Sequence, residues 1–141
     1  MKNKKLKVVS YSLFGSNPLF IIGALENARL VRKYYPGWQA WFYVSKEIEK
    51  SVINDLKNEG SHIIVKNNMK DELKPMIWRF LAISDLDVDL MIVRDCDSRI
   101  SIREVAAVNQ WLDSQKSFHI MRDHPYHHQL IMGGMWGCRK P

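Results

Sequence analysis

The chain has 141 residues, enough for one domain, and its 46% hydrophobic and 26% charged content excludes both a disordered tail and a membrane-embedded protein. The 21 basic and 15 acidic residues leave a net charge of +6, which either solvates the surface or draws an anion such as a nucleotide, a nucleic acid or an acidic membrane face. Two cysteines, Cys96 and Cys138, make no disulfide framework and no CxxC zinc spacing, so reduced thiols are expected. The basic N-terminus leads into an apolar run broken by Ser10, Ser12 and Gly15, and residues 18–25 are too short to span a bilayer. A cytoplasmic protein without a secretory signal, with at most peripheral membrane contact, is expected.

Residues 7–12 read as a first strand, with Val8 and Val9 in its core. The loop that follows has strong turn chemistry, and Asn17 then Pro18 suit an N-cap and the first helical position. Residues 19–35 carry Phe20, Ala24, Ala28 and Val31 at helical spacing, stopped by Pro36-Gly37. Residues 39–44 read as an aromatic second strand. Ser45 is placed to cap a helix whose buried stripe is Ile48, Val52, Ile53 and Leu56, closed by Gly60. Residues 62–66 form a third strand and residues 67–73 a polar loop. A helix over 74–84 is expected to turn Met76, Ile77, Phe80 and Leu81 inward, with Trp78 and Arg79 partly off that face.

Leu90-Met91-Ile92-Val93 reads as a strand buried on both faces, and it breaks at once into Arg94-Asp95-Cys96-Asp97-Ser98-Arg99. Ser101-Ile102-Arg103-Glu104 matches a capping box for a helix through Val105, Val108 and Leu112. A strand over 117–122, a histidine-rich loop over 124–129 and a last strand or turn over 131–138 complete the chain. Alternating strands and helices imply an α/β domain over 1–141 with a mostly parallel, Rossmann-like sheet flanked by helices. The sequence stops directly after an apparent sheet element, as expected of a partial domain or a piece of something longer.

Candidate chemistry gathers around the acidic run. Asp95 and Asp97, two apart on an extended segment, point the same way and can hold one Mn2+ or Mg2+, leaving room for phosphate oxygens. The alternative is a turn rich in capping acids. Arg79, Arg94 and Arg99 are candidate phosphate contacts through their guanidinium forks. Otherwise Arg94 and Arg99 pair with the neighbouring aspartates and Arg79 sits on a solvated helix face. In the first-strand loop Tyr11 or Phe14 is placed to stack on a base and Ser12 to hydrogen-bond to it; a plain connection is the alternative. Asp123 is a candidate general base and His124 an acceptor contact, in a cluster with His127 and His128 whose spacing fits no common zinc site. Gly133 and Gly134 suit a close approach, and Trp136 is either a sugar platform or a core residue.

The ordered set Trp78-Arg79-Phe80, Arg94-Asp95-Cys96-Asp97-Ser98-Arg99, Arg122-Asp123-His124-Pro125 and Gly133-Gly134-Met135-Trp136-Gly137 resembles a bacterial and viral subgroup of the GT-A nucleotide-sugar glycosyltransferases. That resemblance spans nearly the whole chain. It implies a GT-A-like fold, Mn2+ or Mg2+ on Asp95 and Asp97, and a UDP- or GDP-sugar donor held by Tyr11, Ser12, Phe14 and Arg79. It also implies a glycan or polysaccharide-precursor acceptor on the side of Gly133 and Gly134. Enzymes of that class commonly carry further acceptor-side elements and a late metal-binding histidine. Beside it stand a degenerate, catalytically silent fragment of such a transferase and two rivals of other classes. One is a phosphohydrolase with a nucleophilic aspartate, as in haloacid-dehalogenase-like enzymes, although those place the pair after their first strand. The other is a non-catalytic basic module for nucleotides or nucleic acid. No RNA-recognition signature or zinc finger is present, so nucleic acid is not the expected partner.

Overall fold

The computed structural model of the chain describes residues 4–67 and 73–141. The polar loop expected over 67–73 lies for the most part outside them. The elements run β1 (Leu6–Leu13), α1 (Pro18–Tyr34), β2 (Trp38–Ser45), α2 (Lys50–Asn58) and β3 (His62–Lys66). A 3₁₀ helix (Pro75–Ser84), β4 (Val88–Val93), α3 (Ile102–Ser114), β5 (Phe118–Ile120) and β6 (Trp136–Arg139) follow. The fold is α/β, built on one six-stranded mixed sheet in the order β3-β2-β1-β4-β6-β5.

Neighbours from β3 to β4 pair in parallel, whereas β6 pairs antiparallel with both β4 and β5. The mostly parallel sheet expected from the sequence is therefore a mixed one. The α3 crossover returns β5 in the direction of β4 but leaves a gap beside it. The chain then doubles back without a helix and fills that gap with β6 in the opposite sense.

Strand alternation divides the interior into two cores. Val9, Tyr11 and Leu13 of β1 pack with Ala24, Ala28 and Val31 of α1, Leu56 of α2, and Val108 and Trp111 of α3. On the other face Val8, Met91 and Val93 pack with Trp78 and Ala82 of the 3₁₀ helix. Helix α1 begins as its sequence predicts, with Asn17 accepting the Leu19 N–H at 3.0 Å and Pro18 in the first turn. The box Ser101–Glu104 opens α3 in both directions.

Three local expectations need correction. Ser45 ends β2, and its hydroxyl binds the Glu47 backbone in a short turn; α2 starts at Lys50, with Glu49 at its cap. The segment 75–84 winds as a 3₁₀ helix, its buried residues are Trp78, Arg79 and Ala82, and Met76 is 54% exposed. Trp111 rather than Leu112 is the buried large residue of α3.

Among the described residues no helix is long and apolar enough to cross a membrane. His119 of β5 is buried against Trp111, with ring centroids 5.4 Å apart. Burial first, and the Arg94 charge second, lower its pKa from 6.5 to about 4. A depressed histidine stabilises the fold fully above its unfolded pKa, and that stability is lost as pH falls towards the folded one. Stability is expected to fall by up to roughly 3 kcal/mol between pH 6.5 and 4 through this residue. Urea unfolding of the native protein and His119→Phe across that range checks this; equal pH slopes would count against it.

Candidate functional site

In the parallel block the chain leaves β1 towards β2 on one side, and β4 lies on the other side of β1. A sheet that reverses its winding in this way opens a crevice at the carboxyl ends of those two strands. Phe14 and the acidic run both emerge there.

Beyond Val93 the backbone leaves the strand and turns at Cys96 and Asp97, with the Ser98 N–H on the Asp95 carbonyl at 3.4 Å. The two aspartates are thus not on an extended segment, as the sequence reading had them. The turn nevertheless sets both on one cleft of about 300 Å³, lined also by Ser12, Phe14, Phe20 and Met76. Asp97 is exposed, and no hydrogen bond or ion pair engages its carboxylate among the described residues. Asp95 is half-buried, paired with Arg79 through Oδ1 and Nη1. On its other side stands Gly134, where a Cβ would overlap the Asp95 carboxylate, so a larger residue there would push the carboxylate aside.

Arg79 is 7% exposed, which overturns the solvated-face alternative. Its backbone is pinned to β1: Ser10 Oγ donates to its carbonyl at 2.6 Å, and its N–H donates to Ser12 Oγ at 3.0 Å. Its Nη1 also donates to the Arg94 carbonyl at 3.0 Å, while Nε is buried without a partner among the described residues. Ser12 therefore positions Arg79, and its own carbonyl accepts from the Cys96 thiol at 3.3 Å. Burial pushes that thiol up to about 12, so it stays neutral.

Arg94 pairs with neither aspartate. Its Nε donates to Glu104 Oε2 at 2.5 Å, with both side chains more than nine-tenths buried. Glu104 is fixed in turn by the capping box and by Tyr35. Removing one member of such a buried pair costs about 3–5 kcal/mol, because the other is left as an uncompensated charge. Arg94 belongs to the scaffold that aims the acidic turn. Tyr11, proposed as a base platform, is fully buried and stacked on Phe42 at 4.8 Å, so neither ring face is offered to a base. Phe14 is 38% exposed at the mouth of the cleft, edge-on to Trp78, and retains a free face. Arg99 joins Glu26 of α1 and donates to the Cys96 carbonyl at 3.2 Å.

A larger cleft of about 550 Å³ adjoins the first, with Arg79 and Asp95 in the wall of both. Asp123, His124, Gly133 and Gly134 line it as well. Asp123 lies 3.5 Å from the Arg103 guanidinium and 3.7 Å from His127 Nδ1. Trp136 does not line this cleft. It packs edge-on to Phe80 at 5.4 Å over a separate apolar depression, because it lies at the start of β6 with its side chain on the 3₁₀-helix face. His128 lines neither cleft.

The sequence reading missed the two residues of α1 that hold the acidic turn. Asn27 is buried; its Nδ2 donates to Ser98 O at 2.6 Å, and its Oδ1 accepts the Ile100 N–H at 3.2 Å. One helical turn earlier, a Cβ on Gly23 would overlap the Cys96 carbonyl. A glycine and an asparagine four apart inside an apolar stripe are the signal that could have found them.

As for a metal, Asp95 and Asp97 are hard oxygen donors on one cleft, and Asp97 is uncommitted. Among the described residues no group of three or more His, Cys, Asp or Glu side chains converges. The donor set thus fits a hard divalent cation whose remaining ligands come from water or a phosphorylated ligand.

No protein-family model matches the chain, and no curated protein matches it. Gly23→Ala is expected to destabilise the protein by about 1–3 kcal/mol, through the clash with Cys96. Asn27→Ala should cost about 2–3 kcal/mol by orphaning buried backbone groups. Urea unfolding measures both; unchanged midpoints would show that α1 does not clamp the turn.

Proposed function

We propose that the chain is a metal-dependent GT-A-type glycosyltransferase domain, moving a sugar from a UDP- or GDP-sugar to a hydroxyl of a glycan or polysaccharide precursor. The single observation that carries this reading is the delivery of Asp95 and Asp97 into one cleft at the β1–β4 crevice, beside a buried arginine. The parallel strand order β3-β2-β1-β4 supports it, as does the face that Phe14 offers at the cleft mouth.

Asp95 and Asp97 would hold Mn2+ or Mg2+, whose chemistry there is Lewis-acid compensation of the charge developing on the departing nucleoside diphosphate. Arg79 lies beside that position and offers guanidinium hydrogen bonds to the same diphosphate. Phe14 stacks on the base. The larger cleft takes the sugar and the acceptor, with Gly133 and Gly134 permitting close approach. Asp123, in the wall of the larger cleft and 3.5 Å from the Arg103 guanidinium, would accept the acceptor hydroxyl proton if the reaction inverts. Tyr11 and Arg94 act from below, through packing and through the Glu104 pair.

Calorimetric titration of UDP and GDP with and without Mn2+ tests the reading. Binding is expected to require the metal and to weaken about tenfold or more in Asp97→Ala. Metal-independent binding unaltered by the substitution would remove the proposal. Phosphate release from a simple phosphate ester would favour the phosphohydrolase instead, and steeply salt-dependent, metal-independent binding to RNA or DNA the basic module.

A further inference from the structure

Arg79 and Asp95 form the wall shared by the two clefts, and the pair has a consequence for the order in which ligands enter. The Asp95 carboxylate is penned between the Arg79 guanidinium on one side and the backbone of Gly134 on the other. It therefore cannot turn freely towards Asp97. A divalent cation shared by the two aspartates therefore competes with Arg79 for the charge of the Asp95 carboxylate, whose Oδ1 the guanidinium holds. We infer that Arg79 is a coupling residue: it opposes entry of the bare cation and releases Asp95 only when a diphosphate arrives to take its charge. The inference rests on the glycosyltransferase reading for the identity of the diphosphate.

Arg79 is 7% exposed, and its backbone is tied at both N–H and carbonyl to Ser12 and Ser10, so the residue cannot follow its charge into solvent by moving the helix. Its Nε is already buried without a partner among the described residues. If a cation binds Asp95, Arg79 keeps its hydrogen bond to the Arg94 carbonyl but has to share its counter-ion with a second positive charge. Of the other carboxylates that share the larger cleft with Arg79, Glu104 is committed to Arg94 and Asp123 lies against Arg103. A buried guanidinium without a counter-charge is strongly disfavoured, and it also repels the incoming cation. A diphosphate bridging from the cation to Arg79 removes both penalties at once, and guanidinium geometry matches phosphate oxygens. Cation and nucleotide thus bind with positive coupling, and by linkage each raises the affinity of the other by the same factor.

The test is calorimetric titration of Mn2+ alone, and of Mn2+ in the presence of UDP, on the native protein, Arg79→Gln, Arg79→Lys and Asp97→Ala. Arg79→Gln keeps a donor for the Arg94 carbonyl and drops the charge; Arg79→Met replaces it if the glutamine variant does not fold. Mn2+ alone is expected to bind Arg79→Gln about tenfold more tightly than the native chain, whereas the gain in Mn2+ affinity conferred by UDP shrinks by a similar factor. Arg79→Lys, which retains the charge, should keep the weak binding of bare Mn2+. Mn2+ binding that depends on Asp97 but is unchanged or weakened in Arg79→Gln would overturn the coupling and leave the glycosyltransferase reading standing. A lysine variant that binds bare Mn2+ as tightly as the glutamine one would overturn the charge argument. Mn2+ binding indifferent to Asp97 would remove the metal site, and the coupling with it.

Discussion

The arrangement of this domain turns on one buried guanidinium. Arg79 arrives on a 3₁₀ helix that covers one face of the sheet, and its main chain is stitched to Ser10 and Ser12 of β1. Its side chain reaches across to the end of β4, where it meets the Arg94 carbonyl and the Asp95 carboxylate. A single residue thereby joins the outer layer, the two central strands and the acidic turn. Burying a charge is tolerable only with partners, so the positions of β1, β4 and Asp95 are mutually constrained.

A charge pair buried on both sides stabilises the same crevice from the opposite face. Arg94 and Glu104 link the end of β4 to the first turn of α3, and Glu104 serves at once as counter-ion and as half of the capping box. From α1, Asn27 and Gly23 hold the turn between those two elements. The aspartates project from a loop braced on three sides, the rigid support that precise ligand placement needs. What remains unconstrained is Asp97 and the exposed face of Phe14, the groups a ligand in the smaller cleft would meet first.

Much of the architecture was legible because periodicity reports burial. The run 90–93 is buried along its length, Asn17-Pro18 opens α1, and Ser101–Glu104 opens α3. Roles within the site were less legible. Tyr11, Ser12 and Arg94 sit beside the candidate ligand groups in sequence, but strand alternation sends Tyr11 into the helical core and commits Ser12 to Arg79, while a partner ten residues away claims Arg94. The inward face of residues 75–84 was misplaced because Arg79 is drawn inside by its ties to Ser10, Ser12 and Asp95, which an apolar pattern does not record.

The sequence by itself determined the α/β class, the position of most elements and the ending of a buried strand in two acids, since these follow from local pattern and burial. Tertiary structure alone decided that the sheet is mixed and that Asp95 is held by Arg79. It also turned Trp136 away from the cleft and gave Asn27 and Gly23 of α1 their grip on the acidic turn. Those outcomes depend on which charges meet inside a low-dielectric interior and on how closely two backbones approach. Both are relations between residues from 16 to more than 70 positions apart, which no local pattern encodes.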